Sequence, residues 1–326
     1  MGKSDELFLH YAIFMVDETP YCLWSDKDPR ELTIDFLDKI SPEFFVYQAD
    51  TNLQKMRYKK HQQMAAIAIR TAFSHGLETL FSLLCAAIQA PYCVPGWMLF
   101  CKNEQLSNLL KKINNRESIN CMFAKDASWE NISLAIYETL VLNDKEKEKN
   151  IRKQFARLWS RWSSDFTKQE FSREYNSIKH GFRAKIGGNY LAIRQSASPS
   201  KGTLLGKSEF GSRYFVYEYI GDSKNHFQLV KNFRNWDPEA MAWGLHLISM
   251  SISNIISALK TVNGFPANKI KFTYPTDKNT FAKPWEQTAS LGISSFSFKP
   301  MIPIEATTQF SNDEIKNLYK EGKVLG

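Results

Sequence analysis

Apolar positions recur at helical spacing through most of this chain and at strand spacing in a shorter central stretch. Over residues 56–90 they return every three or four residues with no proline until Pro91, which predicts one long helix. Residues 97–113 repeat the pattern and end on Lys111 and Lys112, cations suited to a helix C-terminus. Residues 126–142 predict a further helix, and 151–186 another with a break near Asp165 and a stop at Gly187-Gly188. The charge run NDKEKEKN between them reads as a solvated turn or a helix start. Asp237-Pro238-Glu239 is a strong helix start for a run to Val262, closed by Asn263-Gly264. Ser311 and Glu314 form a capping box for a short helix over 311–320.

Strand patterns lie elsewhere. Residues 190–194, 214–220 and 227–233 are rich in aromatic and branched residues, and GDSKN between the last two suits a hairpin turn. Near the start, residues 7–16 predict a buried strand, 29–40 a short helix and 44–48 a second short strand. Residues 265–310, rich in Pro, Ser, Thr and Phe, predict an extended segment over the surface. The fold class expected is therefore mainly α, a helical bundle with a small antiparallel β-sheet insertion, α+β overall. The expected organisation is a mixed segment at 1–55, a bundle over 56–264 with the insertion at about 188–235, and a wrap with a final helix over 265–326. No flexible linker is visible, which favours one compact unit.

Composition narrows the classes. With 43% hydrophobic and 23% charged residues over 326 positions, the chain can bury a sizeable core. The net charge of +8 favours a polyanionic partner such as nucleic acid. Cys22, Cys85, Cys93, Cys101 and Cys121 form no CxxC pair and no zinc-ligand cluster with histidine, as expected of reduced thiols in a cytoplasmic protein. Cys85 and Cys93 read as core residues rather than nucleophiles. The N-terminal stretch lacks a signal-peptide cleavage site, and Glu6 breaks the myristoylation pattern. The longest apolar region, 241–262, carries His246, four serines, Asn254 and Lys260, so it reads as a core helix and no membrane association is expected.

Two helical rows carry candidate chemistry. In the first long helix Phe73, Leu77, Leu80, Phe81, Leu84 and Ile88 mark a buried face. Beside it run Thr71, His75, Glu78, Ser82, Cys85 and Gln89, at alternating spacings of four and three. This second row suits either a solvated face or close packing on another helix, with His75 and Glu78 near enough to bond each other. In FSREYNSIKHGFRA, Phe171, Tyr175, Ile178 and Phe182 line an apolar face, and Arg173, Asn176, His180 and Arg183 a polar one. That polar line is either an ordinary basic helix end or a phosphate site. In the latter, arginine supplies forked donors, asparagine an amide donor, and histidine a base or acid near neutral pH.

Arg173-x6-His180, and separately Arg70-x4-His75, resemble the Arg-x(4–6)-His motif of HEPN domains, and YNSIKHG is similar to the Asn-x3-His part of that motif. In the commonest version Arg directly precedes the Asn, where this chain has Tyr175. The resemblance covers the helices between about 56 and 262. It implies a helical bundle acting as a metal-independent endoribonuclease, of the kind found in toxin–antitoxin and anti-phage systems, with RNA as partner and no cofactor. It further implies catalytic Arg173, Asn176 and His180, support from His75, Glu78 and Arg183, and a homodimer. The alternative is a non-catalytic helical subunit that binds RNA or a protein partner in a defence complex.

Other stretches carry less specific signals. IRKQFARLWSRW interleaves Arg152, Lys153, Arg157 and Arg161 with Phe155, Trp159 and Trp162. Such a helix suits RNA backbone contacts with base stacking, or it simply buries its tryptophans and exposes its cations. RYKKHQQ at 57–63 is a basic helix start. GKSEFGS at 206–212 lacks the spacing of a phosphate-binding P-loop.

Overall fold

The structure, a computed structural model, describes residues 9–121, 127–181, 183–194, 202–222, 224–286 and 295–323. The helices are α1 (Pro29–Asp38), α2 (Glu43–Met56), α3 (Gln62–Gln89), α4 (Val94–Phe100), α5 (Asn103–Asn114), α6 (Trp129–Ile136), α7 (Lys145–Phe166), α8 (Gln169–Lys179), α9 (Pro238–Val262) and α10 (Asn312–Lys320). The strands are β1 (His10–Val16), β2 (Thr19–Ser25), β3 (Ala184–Ile186), β4 (Tyr190–Arg194), β5 (Gly202–Lys207), β6 (Gly211–Tyr219), β7 (Phe227–Asn235) and β8 (Ser295–Phe298). The protein is mainly α with small antiparallel sheets.

The chain divides into two compact units where the sequence suggested one. The first holds residues 1–172 and 238–287, the second 173–237 and 288–326. The first is a helical bundle centred on α3. Leu77, Leu80, Phe81 and Leu84 of α3 share a core with Leu245, Ile248, Ile252 and Ile255 of α9. The two helices cross closely because α9 carries Gly244, where a Cβ would stand 2.5 Å from the Phe73 ring. Helix α9 starts and stops where its caps predict, with Gly264 at φ 91° just beyond its end. By length and composition α3 and α9 could each cross a membrane, but both are mostly buried within the bundle.

Several boundaries differ from expectation, among them the helix expected to reach Ile186, which ends at Lys179 because Gly181 turns the chain into β3. Residues 44–48 are not a strand but the first turns of α2, because Phe45, Ala49 and Asn52 fall at helical spacing and are buried. The run 56–90 is interrupted at 57–61, where RYKKH makes an exposed turn before α3. The run 97–113 breaks at Cys101-Lys102, so that α4 and α5 are separate. At the N-terminus β1 pairs with β2, and Asp17 turns the hairpin at φ 52°.

The second unit is built on an antiparallel sheet of order β3-β6-β7-β8. The β6–β7 hairpin runs in register from Gly211↔Asn235 to Tyr219↔Phe227. Strand β8 comes from the segment expected to be an extended wrap over the surface, and it pairs with β7 through Lys231↔Phe298 and Phe233↔Phe296. The sheet is thus completed by chain from beyond α9 and is more than a local insertion. The final helix α10 has its expected capping box, Ser311 with Glu314.

Candidate functional site

Helix α8 carries Arg173 and Asn176 of the expected polar line, with His180 just past its last residue, whereas Arg183 lies beyond the turn at Gly181 and off the helix; the buried face is also centred differently. Phe171 and Ile178 are buried as expected, Tyr175 only partly, and Phe182 lies outside the described residues. The centre of the buried face is Glu174, fully buried at 0% exposure. Its carboxylate accepts hydrogen bonds from Ser212 Oγ at 2.5 Å and Trp236 Nε1 at 3.0 Å, and pairs with Arg234 Nε at 3.5 Å. A buried carboxylate persists only with such partners, so Glu174 locks α8 to the sheet. Beside it, Asn189 and Asn235 exchange hydrogen bonds, and Arg213 Nε donates to Asn189 Oδ1 at 2.7 Å. Neither part of this buried network stood out in the sequence. The signal for Glu174 was there, since it falls three residues after Phe171 and four before Ile178, on the apolar line.

With Glu174 turned inward, the opposite side of α8 is presented outward. Asn176, His180 and Arg183 are exposed and Arg173 is half-buried. Arg173 and His180 are two turns apart, within about 20° of each other around the axis, and Asn176 lies between them about 6 Å from His180. The His180 amide still bonds the Asn176 carbonyl at 3.0 Å, so the helical path holds as far as the histidine. Gly181 at φ 90° then ends the helix and brings Arg183 to the start of β3. Among the described residues, the side chains of Arg173, Asn176, His180 and Arg183 make no hydrogen bond or ion pair. Two cations, an amide and an imidazole are therefore free to meet an anion there.

On α3 the residues of the second motif and of the polar row range from exposed to buried. Arg70 is buried with its guanidinium 4.7 Å from the Phe171 ring centroid, whereas His75 is exposed and edge-on to Phe44 and Phe45. Five residues on a helix separate side chains by about 140°, so Arg70 and His75 do not converge. The polar row beside them is not a continuous solvated face. Thr71 Oγ1 back-bonds to the Ile67 carbonyl, Glu78 and Ser82 are half-buried, and Cys85 and Gln89 are buried. Gln89 is a crosslink: its Oε1 accepts from Asp17 N and Trp97 Nε1, and its Nε2 donates to the carbonyls of Asp17 and Asn120.

On α7, Phe155, Trp159 and Trp162 are core residues, with Trp159 Nε1 bonded to Ser251 Oγ at 3.0 Å, so they offer no face to a base. Of the four cations, Arg152 is half-buried, paired with Glu148 at 2.7 Å and donating to the Tyr137 carbonyl. Arg161 lies 4.0 Å from the Trp285 ring centroid, and partial burial there draws its pKa below the ordinary arginine value. Lys153 and Arg157 are exposed. None of the five cysteines is in a disulfide; Cys85 and Cys93 are buried, and burial pushes the Cys101 thiol up to about 12. Among the described residues no three of His, Cys, Asp or Glu cluster as metal ligands.

Fold and site together define a mainly helical protein whose sheet-bearing unit displays an unengaged basic line with one histidine. No family model matches the chain, and neither curated proteins nor solved structures give a match.

Proposed function

We propose that this protein is a metal-independent endoribonuclease of the HEPN-like type, a toxin or anti-phage effector acting on cytosolic RNA, with its site on α8. The observation that supports the reading is the outward set Arg173, Asn176 and His180 along α8 and its end, with Arg183 just beyond the Gly181 turn, on a helix anchored by Glu174 and with side chains free of partners among the described residues. In the proposed reaction the ribose 2′-oxygen attacks the adjacent phosphorus, and the bond to the 5′-oxygen breaks. The products are a 2′,3′-cyclic phosphate and a 5′-hydroxyl. His180 takes the 2′-hydroxyl proton as base while water protonates the leaving 5′-oxygen, or, protonated, gives its proton to that oxygen while water accepts the one from the 2′-hydroxyl. Asn176 donates to the scissile phosphate, and Arg173 with Arg183 balances charge on the phosphorane. A homodimer that pairs two such lines belongs to the same proposal.

A second reading is an RNA- or protein-binding subunit of a defence complex without cleavage. Two observations favour it: Tyr175 stands where the HEPN pattern has arginine, and no side chain among the described residues orients the His180 ring. A catalytic histidine is usually held by a neighbour, although such contacts often form only with substrate. Incubation with single-stranded RNA in EDTA separates the two. The first reading requires cleavage that falls by about 10² to 10⁴ in His180→Ala. Binding without cleavage by the wild type selects the second.

A further inference from the structure

The sheet of the second unit has two unlike faces. Side chains alternate along β6 and β7, so Ser212 and Arg234, which hold Glu174 of α8, lie on one face. On the other face the register sets out cross-strand rows. The first row is Lys185, Arg213, Phe233 and Phe296. The next is Phe215, Lys231 and Phe298, followed by Tyr217 with Leu229 and then Tyr219 with Phe227. Among the described residues most of this face is open: Phe215, Tyr217, Tyr219, Phe227, Leu229 and Phe298 are between 52% and 60% exposed. A contiguous exposed patch of such residues marks a binding surface.

Charge identifies the partner. These rows hold two exposed cations, Lys185 and Lys231, together with Arg213, whose guanidinium is tied to Asn189 Oδ1 and the Gly188 carbonyl, and no carboxylate. Lys231 sits amid the aromatics, its ammonium 5.3 Å from the Phe233 ring centroid. Protein interfaces tend to exclude lysine from their centres, whereas an unpaired nucleic acid strand offers bases to the rings and phosphates to the cations. Phe233 and Phe296 stack on each other at 7°, while the exposed Tyr217 and Phe227 meet edge-on at 66°. From Phe215 to Tyr219 the strand advances about 13 Å, room for roughly two or three bases. Arg183, two residues before Lys185, continues the basic line from the end of α8 to the edge strand β3.

We infer that this aromatic sheet face is a stacking platform for single-stranded RNA. The choice of RNA over DNA rests on the cleavage reading of α8; the platform itself does not. The test is fluorescence anisotropy with a labelled twelve-nucleotide oligouridine in EDTA, using His180→Ala protein so that the strand stays intact. Tyr217→Ala and Phe215→Ala should each weaken binding by about five- to a hundred-fold, while Tyr217→Phe, which keeps the ring, binds as the parent does. Lys231→Ala should lower the salt dependence by about one phosphate contact. Hydrogen exchange over β6 and β7 checks that each variant is folded. Binding that is absent at low salt, or unchanged in folded Tyr217→Ala and Phe215→Ala, overturns the platform. Equal affinity for the matching DNA overturns the assignment to RNA. Platform binding by a wild type that cuts nothing upholds this inference and removes the cleavage proposal, so the two fail separately.

Discussion

Replacing Glu174 probes the link between the α8 helix and the sheet that carries it. The side chain is fully buried, with Ser212, Trp236 and Arg234 around its carboxylate at 2.5, 3.0 and 3.5 Å. Glu174→Ala leaves the indole N–H, a hydroxyl and a largely buried guanidinium facing a void. Hydrogen bonds to a charged group contribute about 1.5–3 kcal/mol each, but they are not additive once the void and its neighbours relax. The better guide is the cost of removing one partner from a buried ion pair, about 3–5 kcal/mol. Glu174→Gln keeps Oε1, the acceptor of both Ser212 and Trp236, and loses only the charge facing Arg234, so a smaller loss of about 1–3 kcal/mol is expected. Hydrogen exchange read on β6 and β7 isolates the second unit from the bundle. There Glu174→Ala should cut protection by roughly a hundred- to several-thousand-fold, with Glu174→Gln clearly between it and the wild type. Protection within about tenfold of wild type in Glu174→Ala, or equal losses in both variants, would refute the idea that this carboxylate anchors α8.

Gln89→Leu should destabilise the first unit by about 2–4 kcal/mol in urea unfolding, since it orphans the Asp17 amide and the Trp97 indole N–H together; a change below about 0.5 kcal/mol would contradict the crosslink. On α7 the cations should separate by role. Arg152→Ala should lower thermal stability through its lost bonds to Glu148 and the Tyr137 carbonyl, whereas Lys153→Ala and Arg157→Ala should leave the melting temperature unchanged. Equal melting shifts for all three would show that Arg152 is as weakly engaged as the exposed pair.

Local chemistry made part of this fold legible. The Asp-Pro-Glu start and Asn-Gly stop of α9, the capping box of α10 and the polar turn between β6 and β7 act within a few residues, so the sequence carries them directly. Strand β8 was not legible because its reason to exist is β7, more than sixty residues earlier, and SFSF alone has no helical or strand imperative. Residues 44–48 misled because three aromatics in a short window resemble a strand, while the spacing that makes them helical extends to Asn52. On α8 the outward side of Arg173, Asn176 and His180 could be read from periodicity, as could the place of Glu174 on the apolar line, but the Ser212 and Trp236 partners that let it stay buried could not. The open sheet face did leave a trace. YFVYEY and FQLVKNF are apolar at both parities, which one buried face cannot satisfy.

Cleavage chemistry at α8 is tested most directly by the ends of the fragments. Single-stranded RNA and the same sequence as DNA are incubated with purified protein in EDTA, and the products are identified by mass spectrometry. Attack by the 2′-oxygen with His180 as acid–base should yield 2′,3′-cyclic phosphate and 5′-hydroxyl ends from RNA only, and His180→Ala and Arg173→Ala should lower the rate by at least about 10² while remaining folded. Intact RNA in the wild-type reaction, 5′-phosphate ends, or undiminished cleavage by His180→Ala would contradict a ribonuclease site on this helix.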